Sequence, residues 1–113
     1  MAGKVMHFEV EGRDGKRLRE FYASLFEWKI DANNPMQYGL VAAEAPGIAG
    51  GIGQADAPRV TFYVAVPDLH AALAQAKRLG GRTVMEPQQV PNGPEIAHFA
   101  DPEGNVIGLV KGA

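Results

Sequence analysis

From Val5 to Glu11 the chain alternates, with Met6, Phe8 and Val10 on one side and His7, Glu9 and Glu11 on the other. That period of two predicts a half-buried strand. Asp14 or Gly15 then caps a helix. Its apolar residues, Leu18, Phe21, Tyr22, Leu25 and Phe26, follow the i, i+3, i+4, i+7, i+8 stripe that turns one helical face to a core. Short strands are expected near Trp28–Ala32, Gln37–Ala43 and Ile48–Gly53, broken by Asn33-Asn34-Pro35 and Ala45-Pro46-Gly47. After a polar joint, Gln54 to Arg59, the same order begins again. Val60, Phe62, Val64 and Val66 alternate with Thr61, Tyr63 and Ala65 until Pro67 stops the strand. Asp68 caps a helix to about Leu79 with a stripe of Leu69, Ala72, Leu73, Ala76 and Leu79, and Gly80-Gly81 ends it. Strands are predicted at Arg82–Gln89, Glu95–Ala100 and Val106–Val110. The last two are joined by the turn Asp101-Pro102-Glu103-Gly104-Asn105.

The restart is also a repeat. A shift of 54 positions lays Phe8 on Phe62, Val10 on Val64, Asp14 on Asp68 and Leu25 on Leu79, with Ile30 on Val84. Two copies of one βαβββ unit follow, each too small to bury its own apolar face. The expected fold is therefore α+β, with one domain over 1–113 made of two similar modules at about 1–53 and 60–113. The comparison sets His7 against Thr61, and that asymmetry bears on function.

Alternation also says which side chains share a face. If Phe8, Val10, Phe62 and Val64 pack under the helices, then His7, Glu9, Thr61 and Tyr63 line the opposite, concave face. In the final hairpin a five-residue turn pairs Ala100 with Val106, and hence His98 with Gly108 on one face. Tyr38 and Tyr63 suit stacking on a planar ligand and offer phenolic hydrogen bonds. Trp28, Phe21, Phe26 and Phe99 are assigned to the core, and His70, on a first helical turn, has no role. The Gly50-Gly51-Ile52-Gly53 run has no Lys-Ser/Thr and leads into no helix, so it is not a phosphate loop. It reads as a bulged strand, suited to a dimer seam.

Composition narrows the partners. A formal net charge of −2 with no basic run argues against nucleic acid or an anionic membrane. Absence of cysteine excludes disulfides, thiolate nucleophiles and Cys-ligated metal, and fits a cytoplasmic protein. No run approaches the roughly 18 apolar residues of a membrane span.

Four features together resemble the vicinal-oxygen-chelate superfamily of glyoxalase I, bleomycin- and fosfomycin-resistance proteins and extradiol dioxygenases. They are His7 in the first strand, Phe21-Tyr22 with Phe26-Glu27-Trp28 against F-Y-x-x-x-F-G-W, Val66-Pro67-Asp68-Leu69 with Gly80-Gly81, and Phe99-Ala100-Asp101-Pro102-Glu103-Gly104-Asn105 against F-x-D-P-x-G-N. The resemblance covers nearly the whole chain. It implies paired modules whose curled mixed sheets form an open cup for a small molecule, and a homodimer for a chain of this length. Metal-using members place ligands on the first and last strand of each module, where three such groups hold a divalent ion. Here His7 is the only matching ligand position. Thr61 stands at its counterpart, Gly108 stands where the closing carboxylate belongs, and Ile48 to Gly53 offers no carboxylate.

The expectation is thus a small-molecule-binding protein lacking the usual metal triad, with ligand contacts from His7, Glu9, Tyr38, Thr61, Tyr63 and His98. No cofactor is expected and no residue is assigned a catalytic role. The alternative is a divalent-metal-dependent lyase, isomerase or dioxygenase using His7, so enzymatic activity stays open. A third possibility is an interaction protein whose cup is vestigial.

Overall fold

The computed structural model describes residues 2–112. In chain order the elements are β1 (Lys4–Gly12), α1 (Gly15–Phe26), β2 (Ile30–Asp31), β3 (Gly39–Val41), β4 (Gly50–Gln54), β5 (Arg59–Val66), α2 (Leu69–Arg78), β6 (Arg82–Gln89), β7 (Glu95–Ala100) and β8 (Val106–Lys111). Two compact units result: His7–Thr61, and the chain up to Met6 together with that from Phe62 onward.

In the first unit the strand order is β2-β3-β4-β1, with β1 parallel to β4 and the other neighbours antiparallel. In the second it is β5-β8-β7-β6, with β5 parallel to β8 and the rest antiparallel. The two sets of four strands, parts of one eight-stranded sheet, therefore repeat one topology, as the sequence repeat requires. Both helices begin at the expected caps. Asp14 Oδ1 accepts from the Arg17 N–H at 3.0 Å, and Asp68 Oδ1 from the Ala71 N–H at 3.0 Å, each satisfying one orphan donor of the first turn.

The core of the second unit gathers Leu69, Leu73, Ala97 and Leu109, with Val64, Val66, Ala72 and Phe99 against it. In the first unit Ile52 is fully buried, paired with Val10 on one side and Gly39 on the other. Not every apolar residue assigned to the core lies there. Phe21 is 56% exposed, Phe26 52% and Phe62 40%. Strands β2 and β3 are only two and three residues long, so little sheet lies beneath α1. Its aromatic residues stack on one another and on Trp28 instead. The glycine run of β4 is also not a bulge. It pairs in unbroken register with β1 and β3, and its glycines serve ring packing, as described below.

Two turns carry measurable consequences. Helix α1 ends at Glu27, whose φ of 57° is left-handed. An L side chain there costs roughly 1–2 kcal/mol relative to glycine, offset in part by the greater unfolded-state freedom of glycine. Glu27→Gly is expected to raise stability by about 0.5–1 kcal/mol in urea melts. In the β7–β8 turn, Asp101 Oδ1 accepts from the Glu103 and Asn105 N–H groups at 2.9 Å each, and Oδ2 from the Asn105 amide at 2.8 Å. These bonds, the Asn105 side chain foremost, hold the Asp101 carboxyl below its ordinary pKa. A carboxyl depressed on folding stabilises above its unfolded pKa, about 4, and that contribution is lost as pH falls through the folded value. Asp101→Ala should therefore be less stable than the parent at neutral pH, with the difference shrinking in melts below pH about 4.

Candidate functional site

In the first unit, β1 alternation puts His7 and Glu9 on one face, and Tyr38 arrives just before β3 to join them. Asn34 places Tyr38 by clamping its backbone from both sides. Its Oδ1 accepts from the Tyr38 N–H at 2.9 Å and its amide donates to the Tyr38 carbonyl at 2.7 Å. The phenol donates to Glu9 Oε2 at 2.7 Å and lies 2.8 Å from His7 Nε2. Arg59 adds a cation, 3.4 Å from Glu9 Oε1 and bonded to Glu11 Oε1 through Nε at 3.0 Å and a terminal nitrogen at 2.7 Å.

Glu9 is only 7% exposed. Burying a carboxylate is costly unless it is paired and hydrogen-bonded, and Tyr38 and Arg59 meet that condition. Burial also pulls the His7 pKa below its ordinary value, because a desolvated imidazole resists protonation. Arg59 and Glu11 were missed by sequence reasoning. The available signal was Glu11's position on the His7–Glu9 face, opposite an arginine at the start of the next alternating strand.

Glycine makes this arrangement possible. Glu9 pairs with Gly51 across β1 and β4, and a Cβ at Gly51 would overlap the Tyr38 phenol. One residue earlier, on the other face, a Cβ at Gly50 would overlap the Phe8 ring. The β4 glycines are thus the floor on which two aromatic rings lie.

The second unit has its own polar row. Tyr63 pairs with Gly108 across β5 and β8, and Gly108 pairs with His98 across β8 and β7, the register expected from the turn. A Cβ at Gly108 would overlap the Tyr63 ring. The Tyr63 hydroxyl lies 2.8 Å from His98 Nε2. Tyr63 is 6% exposed. Thr61, where β5 leaves the first unit, is equally buried. The structure thus gathers His7, Glu9 and Tyr38 in one cluster and Tyr63 with His98 in another.

Surface depressions of about 390 and 330 Å³ lie elsewhere. One is bounded by α2 and the β7–β8 turn, the other by Phe8, Phe26 and Trp28. None of the six expected contact residues lines either. Among the described residues no group of three or more His, Asp or Glu side chains is placed to hold a metal ion. The donor set fits a divalent ion poorly, since tyrosine rings lie over both Gly51 and Gly108.

The chain is similar in structure to methylmalonyl-CoA epimerase from Mycobacterium tuberculosis, with a TM-score of 0.70, 17% identity and coverage of 96% of this chain and 87% of that one. It is similar also to the Mn(II)-bound glyoxalase from Novosphingobium aromaticivorans, with a TM-score of 0.69, 16% identity and coverage of 97% and 40%. The fold is that of the glyoxalase/bleomycin-resistance/dioxygenase, or vicinal-oxygen-chelate, superfamily. Within it, residues 7–110 match the family model of the glyoxalase-like domain, and the chain belongs to that family. A curated relative, "Putative glyoxylase CFP32" of Mycobacterium bovis, is 27% identical over 113 residues, which cover 89% of this chain. The chain spans 42% of that relative's length.

The ring-on-glycine contacts can be tested directly. Gly108→Ala drives a methyl into the Tyr63 ring and is expected to destabilise by about 1–3 kcal/mol, the usual cost of overpacking. Combined with Tyr63→Ala, the double variant should lose less than the sum of the singles in urea melts, because the clash is gone.

Proposed function

We propose that this glyoxalase-like protein binds a small molecule on the polar strand faces that carry His7, Glu9, Tyr38, Thr61, Tyr63 and His98, without the metal triad of its metal-using relatives. The observation that carries the reading is the pair of tyrosine rings seated over Gly51 and Gly108. Those glycines stand on the last strand of each unit, the strand on which the family resemblance places ligands. These faces carry phenol, imidazole, hydroxyl and the Glu9 carboxylate, a set suited to hydrogen-bonding and stacking on an organic ligand. Exposed Phe21, Leu25 and Phe26 supply apolar surface suited to a second copy of the chain, and we take the protein to be a homodimer of the cytoplasm. No helix of the described residues is long and apolar enough to cross a membrane.

The competing reading is a divalent-metal-dependent lyase, isomerase or dioxygenase using His7. It draws on the first-strand position of that histidine and on likeness to a Mn(II)-bound glyoxalase. Elemental analysis of untagged protein, alongside His7→Ala, separates the two. The binding reading expects far less than one metal per chain, unchanged by incubation with nickel, zinc, iron or manganese. It also expects a thermal-shift hit from a metabolite library, since ligand at 100 times its Kd stabilises by about 2.7 kcal/mol. Near-stoichiometric metal that disappears in His7→Ala would establish the metal reading instead.

A further inference from the structure

At the end of α1 the chain adopts a backbone conformation that favours glycine and places a carboxylate there instead. Glu27 has a φ of 57°, where the motif this segment resembles, F-G-W, carries glycine. A residue with a side chain held in the left-handed region points to a task for that side chain. Glu27 lines the depression of about 330 Å³ in the first unit, at the lower end of the range for small-ligand pockets. The walls of that depression are aromatic. Phe8, on the β1 face opposite His7 and Glu9, lies so close over Gly50 that a Cβ there would overlap its ring. Trp28 stands beside Phe8 at 5.4 Å between ring centroids, and Phe26 adjoins Trp28 at 5.0 Å. Glu44 enters from the β3–β4 connection, whose turn closes as the Gly47 N–H donates to the Glu44 carbonyl at 2.6 Å. With Lys29, the lining carries two carboxylates against one ammonium. All three charged residues are exposed, and among the described residues none of them forms an ion pair.

We propose that this depression is a second binding site, for an alkylammonium cation held against the Phe8, Phe26 and Trp28 rings and balanced by the Glu27 and Glu44 carboxylates. Aromatic faces carry negative potential and attract a cation lying within about 6 Å of a ring centroid. The alkyl groups of such a cation also bury against the same rings, a gain that a compact, strongly hydrated ion does not share. An anion meets the opposite conditions, since both the ring faces and the excess carboxylate repel it. Glu27 fits this reading on energetic grounds. It costs stability at its left-handed position and supplies one of the two carboxylates, an exchange of stability for function. The site shares no residue with the polar faces that carry His7, Glu9, Tyr38, Thr61, Tyr63 and His98, so it stands or falls apart from them.

Trp28 is the single tryptophan, so its indole N–H resonance reports on this site alone. Three probes are titrated into the protein while that resonance is followed by NMR. They are choline, its neutral analogue with tert-butyl in place of trimethylammonium, and the matching tert-butyl carboxylate anion. Choline is expected to shift the resonance saturably and to bind about tenfold tighter than the neutral analogue at low salt. That margin should narrow as salt is added, because the carboxylates are exposed. Glu27→Gly and Glu44→Gln should each weaken choline about threefold or more while leaving the neutral analogue unchanged. In Glu27→Gly the loss should accompany a rise in stability, which separates it from damage to the fold. A choline effect lost in either variant supports the proposal. The proposal is overturned if choline gives no saturable shift, if it binds no better than the neutral analogue, or if the anion binds best. It is equally overturned if choline affinity is unchanged in both variants.

Discussion

Most of what is particular to this protein depends on how closely an aromatic ring can approach a strand that carries glycine. At Gly51 and at Gly108 the missing Cβ is the space a tyrosine occupies. In the first unit this brings a phenol to Glu9, which β1 has already carried into a site where only 7% of it is exposed. A carboxylate in that position needs donors. The phenol donates to it at 2.7 Å, closer than Arg59 at 3.4 Å, which directs its shorter contacts to Glu11. Removing one donor from a buried carboxylate costs more than the hydrogen bond itself contributes.

The two units show how one register serves two different arrangements. Glu9, Gly51 and Leu40 form a row across β1, β4 and β3, and Tyr63, Gly108 and His98 form the matching row across β5, β8 and β7. The 54-residue repeat sets Glu9 against Tyr63. In the second unit the first strand itself supplies the phenol, and the third supplies the imidazole. In the first unit the first strand supplies both imidazole and carboxylate, and the phenol comes from the chain entering β3. Each unit places a phenol 2.8 Å from an imidazole Nε2. The outcome is similar chemistry reached by different routes.

Those routes explain what could be read in the sequence. Helix caps at Asp14 and Asp68, the bounds of β6 and β7, and the pairing of His98 with Gly108 were all legible, because each follows from local turn chemistry or strict alternation. The shared face of His7 and Glu9 was legible for the same reason. What stayed hidden was their wiring. Tyr38 sits in a segment with weak periodicity, after Gln37 at a φ of 52°, and its placement depends on an asparagine four residues back. The glycine run of β4 was misread as a bulge because glycine in a strand signals irregularity as readily as close packing. The apolar stripe of α1 was read as core because periodicity reports which residues share a face and not how much sheet lies beneath them. With β2 and β3 so short, that face outran its support.

The likeness to a Mn(II)-bound glyoxalase and to an epimerase at 16–17% identity speaks to the backbone. The chemistry lies in what the backbone carries. A divalent-metal site of this superfamily draws oxygen and nitrogen donors from first and last strands, and it needs those donors unengaged. Here the last strands carry glycine at the relevant rows, and the space above them is filled by rings. The first-strand imidazole is engaged by a phenol at its Nε2. A metal polarises a bound oxygen by charge, whereas the Tyr38 phenol is tied by hydrogen bonds to a buried carboxylate and an imidazole. At both Gly51 and Gly108 the missing Cβ is thus what lets a tyrosine ring lie over the strand.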